Sequence, residues 1–311
     1  MSITTPAEVS TFDGTPHRLL STDGFPLAAR TFLSEPAHQE RRATRSRTPF
    51  HLVFAHATGF CGAVWRPVRA QLPEFDSTIF DFRGHGASRS ARDPRSWWEM
   101  AGDVLAVATH AGRISDGASD RNEHLIGVGH SMGGASLLMA ELLAPGTFEA
   151  FVLVEPIVFG PPFGRDANHP LVDLALRRRD TFDSRDAARR SYAAKPPFAS
   201  WDPAALDGYV DGGFVDVGTG AMLACRSTSE AEVFTAAGAH AAWERLSEID
   251  VATTILYGAD TDTYPPGHGE ALAARIAGAE CLSVEGTGHF LPKERPAVVA
   301  DAVRRKIDLI S

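Results

Sequence analysis

The chain has 311 residues, 44% of them hydrophobic, enough apolar material for one large α/β core or two smaller ones. A formal charge of −9 at pH 7 and an isoelectric point near 5.7 argue against a general binder of nucleic acid or anionic membrane. The three cysteines, Cys61, Cys225 and Cys281, are far apart and form no CxxC pair, so no disulfide framework is suggested.

Met1–Pro16 carries neither a basic residue nor an apolar run that would mark a secretory leader. No stretch reaches the roughly 18 apolar residues of a membrane helix. The expectation is a cytoplasmic protein with no membrane or nucleic-acid partner; its oligomeric state stays open.

Residues 17–21 and 27–33 read as two strands joined at Asp23-Gly24, a hairpin turn signal. Residues 35–49 follow with Arg41, Arg42, Arg45 and Arg47 and no apolar periodicity, the pattern of a solvated loop rather than a docking patch. From there apolar runs alternate with helical patterns. Strands are expected at 51–55, 78–82, 124–128, 151–154, 253–257 and 279–284, and helices at 97–110, 131–143, 269–276 and 296–307. That alternation implies βαβ units and a parallel sheet covered on both faces. Residues 159–240 break the rhythm. They show no convincing buried strand, have helical patterns at 171–179 and 184–194 with Asp173 and Ser184 near their starts, and read as a helical cap. The expected division is a core of 1–158 and 241–311 with the cap inserted between.

Gly129-His130-Ser131-Met132-Gly133 satisfies G-x-S-x-G between a strand and a helix, the context a nucleophile elbow requires. The glycines keep side chains out of a tight turn that lifts the serine oxygen above the sheet, and the following helix points its first amides at developing negative charge. Ser131 is therefore the candidate nucleophile. The loop His56-Ala57-Thr58-Gly59-Phe60, after strand 51–55, can supply one oxyanion donor, with Ala57 preferred and Thr58 as the alternative. The Met132 N–H is the second. His56 reads as a turn histidine and Cys61 as a packing residue.

Gly286-Thr287-Gly288-His289 follows the last strand and places His289 as general base. For the carboxylate, Asp262 stands four residues before Pro266 and is preferred over Asp260. Glu155, at the end of strand 151–154, ranks third, with a structural or pocket-floor role. Pocket-lining candidates are Phe60 and His130 together with Phe159, His240 and Trp243. Arg177, Arg178 and Arg179 read as a solvated helix face.

Together these features resemble the α/β-hydrolase superfamily from about His17 onward. The order Ser131, Asp262, His289 is similar to the family's order of nucleophile, acid and histidine. Asp81-Phe82-Arg83-Gly84-His85-Gly86 resembles a turn whose Arg83 and His85 shape the loop. The resemblance implies an α/β-hydrolase fold: a mostly parallel eight-stranded sheet flanked by helices, with a cap after the sixth strand. It implies a serine esterase-like enzyme that forms an acyl-serine on a small, largely apolar ester. Lactonase, C–C bond hydrolase or acyltransferase chemistry on the same triad is the alternative within the fold, and a non-catalytic ligand-binding protein the alternative outside it. No G-x-G-x-x-G, P-loop or HExxH occurs, so no cofactor and no metal is expected.

Overall fold

A computed structural model of the protein describes residues 14–35, 50–89, 94, 96–114 and 124–311. The arginines of the 41–47 segment lie outside the described residues. The main sheet is built from β1 (Thr15–Leu20), β2 (Pro26–Phe32), β3 (Phe50–Ala55), β4 (Asp76–Asp81), β5 (His124–His130), β6 (Ala150–Val154), β10 (Ala252–Gly258) and β11 (Glu280–Val284). Its eight strands run in the order β1-β2-β4-β3-β5-β6-β10-β11. β1 and β2 are antiparallel, as are β2 and β4, whereas every pairing from β4 through β3 to β11 is parallel. Gly24 turns the β1–β2 hairpin with φ +81°, a conformation that glycine adopts without a side-chain clash.

The strand composition explains the layering. β3, β5 and β6 are nearly continuous apolar runs and are buried along their length, as strands covered on both faces must be. The edge strands β1 and β11 are largely exposed or half-buried. One apolar layer joins the sheet to α2 (Trp97–Ile114) and α3 (Met132–Leu143), through Met100, Val104 and Leu138. The other joins it to α1 (Arg66–Ala70) and α10 (Pro296–Ile310), through Val68, Val299 and Val303. The loops at the carboxyl ends of β3, β5, β6 and β10 converge above the sheet, where open α/β sheets place their sites.

Between β6 and β10 the chain forms α4 (Pro170–Leu176), α5 (Arg185–Ala193), α6 (Pro203–Gly213) and α7 (Ser227–Thr235). Ser184 caps α5, accepting from the Ala187 N–H, while α4 is capped by His169, with Asp173 inside its first turn. The helical expectation for 159–240 needs correction. The segment also carries a three-stranded antiparallel sheet, β7 (Thr181–Phe182), β8 (Phe214–Val217) and β9 (Gly220–Leu223). Strands of two to four residues are too short to display a two-residue period. Among the described residues no helix is long and apolar enough to cross a membrane.

Candidate active site

Ser131 sits between β5 and α3 with φ 55° and ψ −118°, a conformation costly for a residue with a side chain. The strain is held by packing and hydrogen bonds. The Ser131 N–H donates to Val154 O at 2.9 Å, and its carbonyl accepts from Ala135 N at 3.1 Å. The flanking glycines are required by contact. A Cβ on Gly129 would lie 2.7 Å from Gly134 Cα, and one on Gly133 would lie 2.2 Å from Ala55 O. Close approach of α3 to the end of β3 therefore depends on the absence of a side chain at residue 133. Met132, wholly buried, opens α3, so its N–H has no partner in a preceding helical turn.

The loop after β3 is shaped by two neutral histidines. His56 accepts from the Phe82 N–H at Nε2 (3.0 Å) and donates from Nδ1 to Ala57 O at 2.8 Å. His85 donates from Nδ1 to Arg83 O and accepts from the Gly59 N–H at Nε2, both at 3.0 Å. Burial pushes His56 well below the usual histidine range and His85 to about 4. In a trans peptide the N–H points opposite to the C=O. The Ala57 carbonyl faces the His56 ring and the Phe60 N–H, which directs the Thr58 N–H the other way. The His56 carbonyl crowds the Gly133 end of α3, which turns the Ala57 N–H away from that helix start. The peptide geometry thus favours Thr58, the alternative, over the preferred Ala57.

After α8 (His268–Ala273) and β11 the chain reaches His289, on the loop that leads into α9 (Leu291–Glu294). Gly258 lets this loop approach β10: a Cβ there would meet Thr287 O at 2.3 Å and Gly288 O at 2.5 Å. The His289 Nδ1–H donates to Glu155 Oε2 at 2.6 Å. Glu155 is fully buried one residue beyond β6, with φ 43°, and its other oxygen accepts from Gly258 N at 2.9 Å while Thr261 Oγ1 donates to Oε2 at 2.8 Å. Three donors therefore converge on one buried carboxylate.

The preference for Asp262 is corrected by this geometry. Asp262 is exposed, its carboxylate accepting from its neighbour Thr263 Oγ1 at 3.4 Å, and Asp260 is exposed as well. Along the loop the side chains alternate, so the aspartates turn to solvent while Thr261 between them turns in to Glu155. Glu155, ranked third with a structural role, is the carboxylate against His289. Its sequence signal was a charged residue closing a five-residue apolar strand, followed by Pro156.

Other expected residues divide. Phe60 is 9% exposed and packs against Trp201, Tyr209 and Phe290 with ring centroids 5.2–5.8 Å apart. Phe159 packs on His268 (4.6 Å), and Trp243 stacks on the same ring (5.8 Å). His130 and His240 are both buried and use both ring nitrogens on the protein itself. His240 meets Ile157 O and the Ala242 N–H, and His130 meets His289 O and Lys293 Nζ. Cys61 is buried, and burial raises its thiol far above the usual range, which leaves it inert as a nucleophile. The solvated-face reading holds for Arg177 but not for Arg178. Arg178 is half-buried against the buried Glu230 and the hydroxyls of Tyr192 and Tyr209, with the Glu230 carboxylate packed on Gly59.

A model of the alpha/beta hydrolase family matches residues 52–302. Lipase LipV of Mycobacterium tuberculosis is 26% identical over 270 residues, which cover 83% of this chain and 94% of that protein. Peroxisomal membrane protein LPX1 of Saccharomyces cerevisiae is 31% identical over 155 residues, 45% of this chain and only 38% of that protein's length. The structure of the peroxisomal alpha-beta-hydrolase Lpx1 from the same yeast aligns with a TM-score of 0.79 at 21% identity, over 97% of this chain and 87% of that one. E-2-(acetamidomethylene)succinate hydrolase aligns with a TM-score of 0.74 at 19% identity, over 95% and 100% of the two chains. At such identities the two structures speak for the fold alone.

Proposed function

This chain belongs to the alpha/beta hydrolase family, and we propose that it hydrolyses a carboxylic ester with Ser131 as nucleophile, His289 as base and Glu155 as acid. The observation that carries the reading is the 2.6 Å hydrogen bond from His289 Nδ1 to Glu155, at the sheet end where Ser131 closes the β5–α3 elbow.

Glu155 holds the proton on Nδ1, which leaves Nε2 as the acceptor for the Ser131 hydroxyl proton. The serine oxygen attacks the ester carbonyl, and the resulting oxyanion is met by the N–H groups of Met132 and Thr58. His289, now an imidazolium stabilised by Glu155, returns its proton to the leaving alkoxide. Water then repeats the sequence on the acyl-serine, releasing the acid and regenerating Ser131. The aromatic group of Phe60, Phe198, Trp201 and Phe290 beside the loop supports a small, largely apolar substrate. The lipase name of the Mycobacterium relative supports ester chemistry.

The test is labelling by a fluorophosphonate together with turnover of p-nitrophenyl esters of increasing chain length. Wild type is expected to label once, at Ser131, and to hydrolyse the short esters, and Ser131→Ala to do neither. Equal turnover by Ser131→Ala, or a wild type that binds esters but neither labels nor cleaves them, overturns the reading.

A further inference from the structure

Lys293, on α9, is only 1% exposed, and its Nζ lies 2.5 Å from His130 Nδ1. The rings of Phe60, Trp201 and Phe290 surround the amine, with centroids 5.0, 5.8 and 5.6 Å away. No carboxylate pairs with it among the described residues, although burying an amine without one is costly. An apolar side chain would fill the same aromatic cage at no such cost. The bond from the Asp202 N–H, which ties this region to the inserted segment, reaches only the Lys293 main-chain carbonyl (2.6 Å). The amine itself is therefore used by His130.

The hydrogen-bond chain has one consistent reading. A main-chain carbonyl can only accept, so the 2.8 Å contact of His130 Nε2 with His289 O places a proton on Nε2. His130 is fully buried and pushed well below the usual histidine range, so the ring is neutral and Nδ1 carries a bare lone pair. Lys293 fills that lone pair with an N–H, and it has one to give whether the amine carries two protons or three. The result is a closed ring: His289 carbonyl, His130 imidazole, Lys293 amine, and the backbone from 293 back to 289. His130 immediately precedes Ser131. The ring therefore ties the main chain of the base to the strand end that presents the nucleophile, while Glu155 fixes the imidazole from the other side.

We propose that Lys293, acting through His130, is a positioning residue that holds His289 in register with Ser131. The proposal rests on the Ser131–His289–Glu155 reading above. It predicts that loss of the amine slows chemistry without weakening substrate binding, because neither side chain touches the substrate.

The experiment compares Lys293→Met, His130→Leu, His130→Gln and the Lys293→Met/His130→Leu double variant in ester turnover and fluorophosphonate labelling. Methionine keeps the apolar volume of the cage, so Lys293→Met is expected to fold with an unchanged or higher Tm. Its kcat and labelling rate should fall about tenfold with KM unchanged, since small misplacements of a base are costly. His130→Leu should lose as much, His130→Gln, which keeps a donor for His289 O, should recover most of the rate, and the double variant should be no worse than His130→Leu. Wild-type kcat in Lys293→Met, or losses that multiply in the double variant, overturns the proposal. A second readout needs no turnover: the NMR solvent-exchange rate of the His289 Nδ1 proton. Faster exchange in Lys293→Met supports the positioning role, and an unchanged rate refutes it even if wild type proves unable to cleave esters.

Discussion

Replacing Glu155 by glutamine removes one charge and almost no volume, so its effect can be worked from the donors around the carboxylate. Glu155 accepts from the Gly258 N–H, from Thr261 Oγ1 and from the His289 Nδ1–H. Glutamine offers one acceptor oxygen and an NH2 group in place of two oxygens. If the oxygen faces His289, the NH2 opposes the Gly258 main-chain N–H, which cannot change and would be buried unsatisfied at about 1–3 kcal/mol. If the oxygen faces Gly258, the NH2 opposes His289, which can change by moving its proton to Nε2. The second arrangement is the cheaper one, and it leaves His289 donating toward Ser131 when it must accept. Wrong-tautomer triads lose about 10⁴ in kcat, about 5 kcal/mol of transition-state stabilisation. Glu155→Gln should therefore lower kcat on a short p-nitrophenyl ester by roughly four orders of magnitude with little change in KM. Asp262→Asn, at an exposed site, should stay within about twofold of wild type. Near-normal kcat in Glu155→Gln with a large loss in Asp262→Asn would refute the assignment.

Two further outcomes follow from buried charge. Arg178→Met strands the Glu230 carboxylate and breaks the bonds to Tyr192 and Tyr209, so urea unfolding should register a loss of about 3–5 kcal/mol. Adding Glu230→Leu should restore much of it, and a single-variant loss below about 1 kcal/mol would contradict the pairing. The second concerns acid stability. Burial lowers His85 and His240 to about 4 and holds His56 and His130 well below their usual range, so each contributes stability above pH 6.5 that is lost as pH falls toward 4. Asp81, raised by burial to about 6, opposes them by one proton. Unfolding near pH 5.5 should take up about three protons, a fall of roughly 4 kcal/mol per pH unit. A flat urea midpoint from pH 7 to 5 would show these histidines charged or exposed in the native state.

The features legible in the sequence are those whose cause is local or periodic. The central strands β3, β5 and β6 were readable because burial on both faces leaves continuous apolar runs, and the elbow because Gly129 and Gly133 are needed within two residues of Ser131. Ser184 was readable as a cap because its side chain serves an amide three residues away. The features that escaped depend on neighbours distant in the chain. Arg178 looks like any arginine at the end of an exposed helix until Tyr209 and Glu230 are brought to it from two other helices. Lys293 and His130 meet across 163 residues of sequence, and nothing in either segment announces the other. The choice between Ala57 and Thr58 needed the orientation of one peptide plane, which the His56 ring sets.

The carboxylate that meets His289 escaped for a different reason, which lies in the sheet. β6 and β10 are adjacent and parallel, with Val154 opposite Leu256. A carboxylate just beyond β6 and one just beyond β10 therefore arrive at neighbouring positions on the same edge, and either strand can carry an acid to the His289 loop. Chain order cannot separate them, since the order of residues along the chain is no part of the geometry a histidine senses. What separates them is which strand end turns its carboxylate inward. At β10 that inward place is taken by Thr261, which donates to Glu155, and Gly258 donates its own amide to the same group. The β10 end is thus built to receive a carboxylate from β6 rather than to supply one. A carboxylate supplied to His289 from β10 would have to stand at residue 261, not at Asp260 or Asp262.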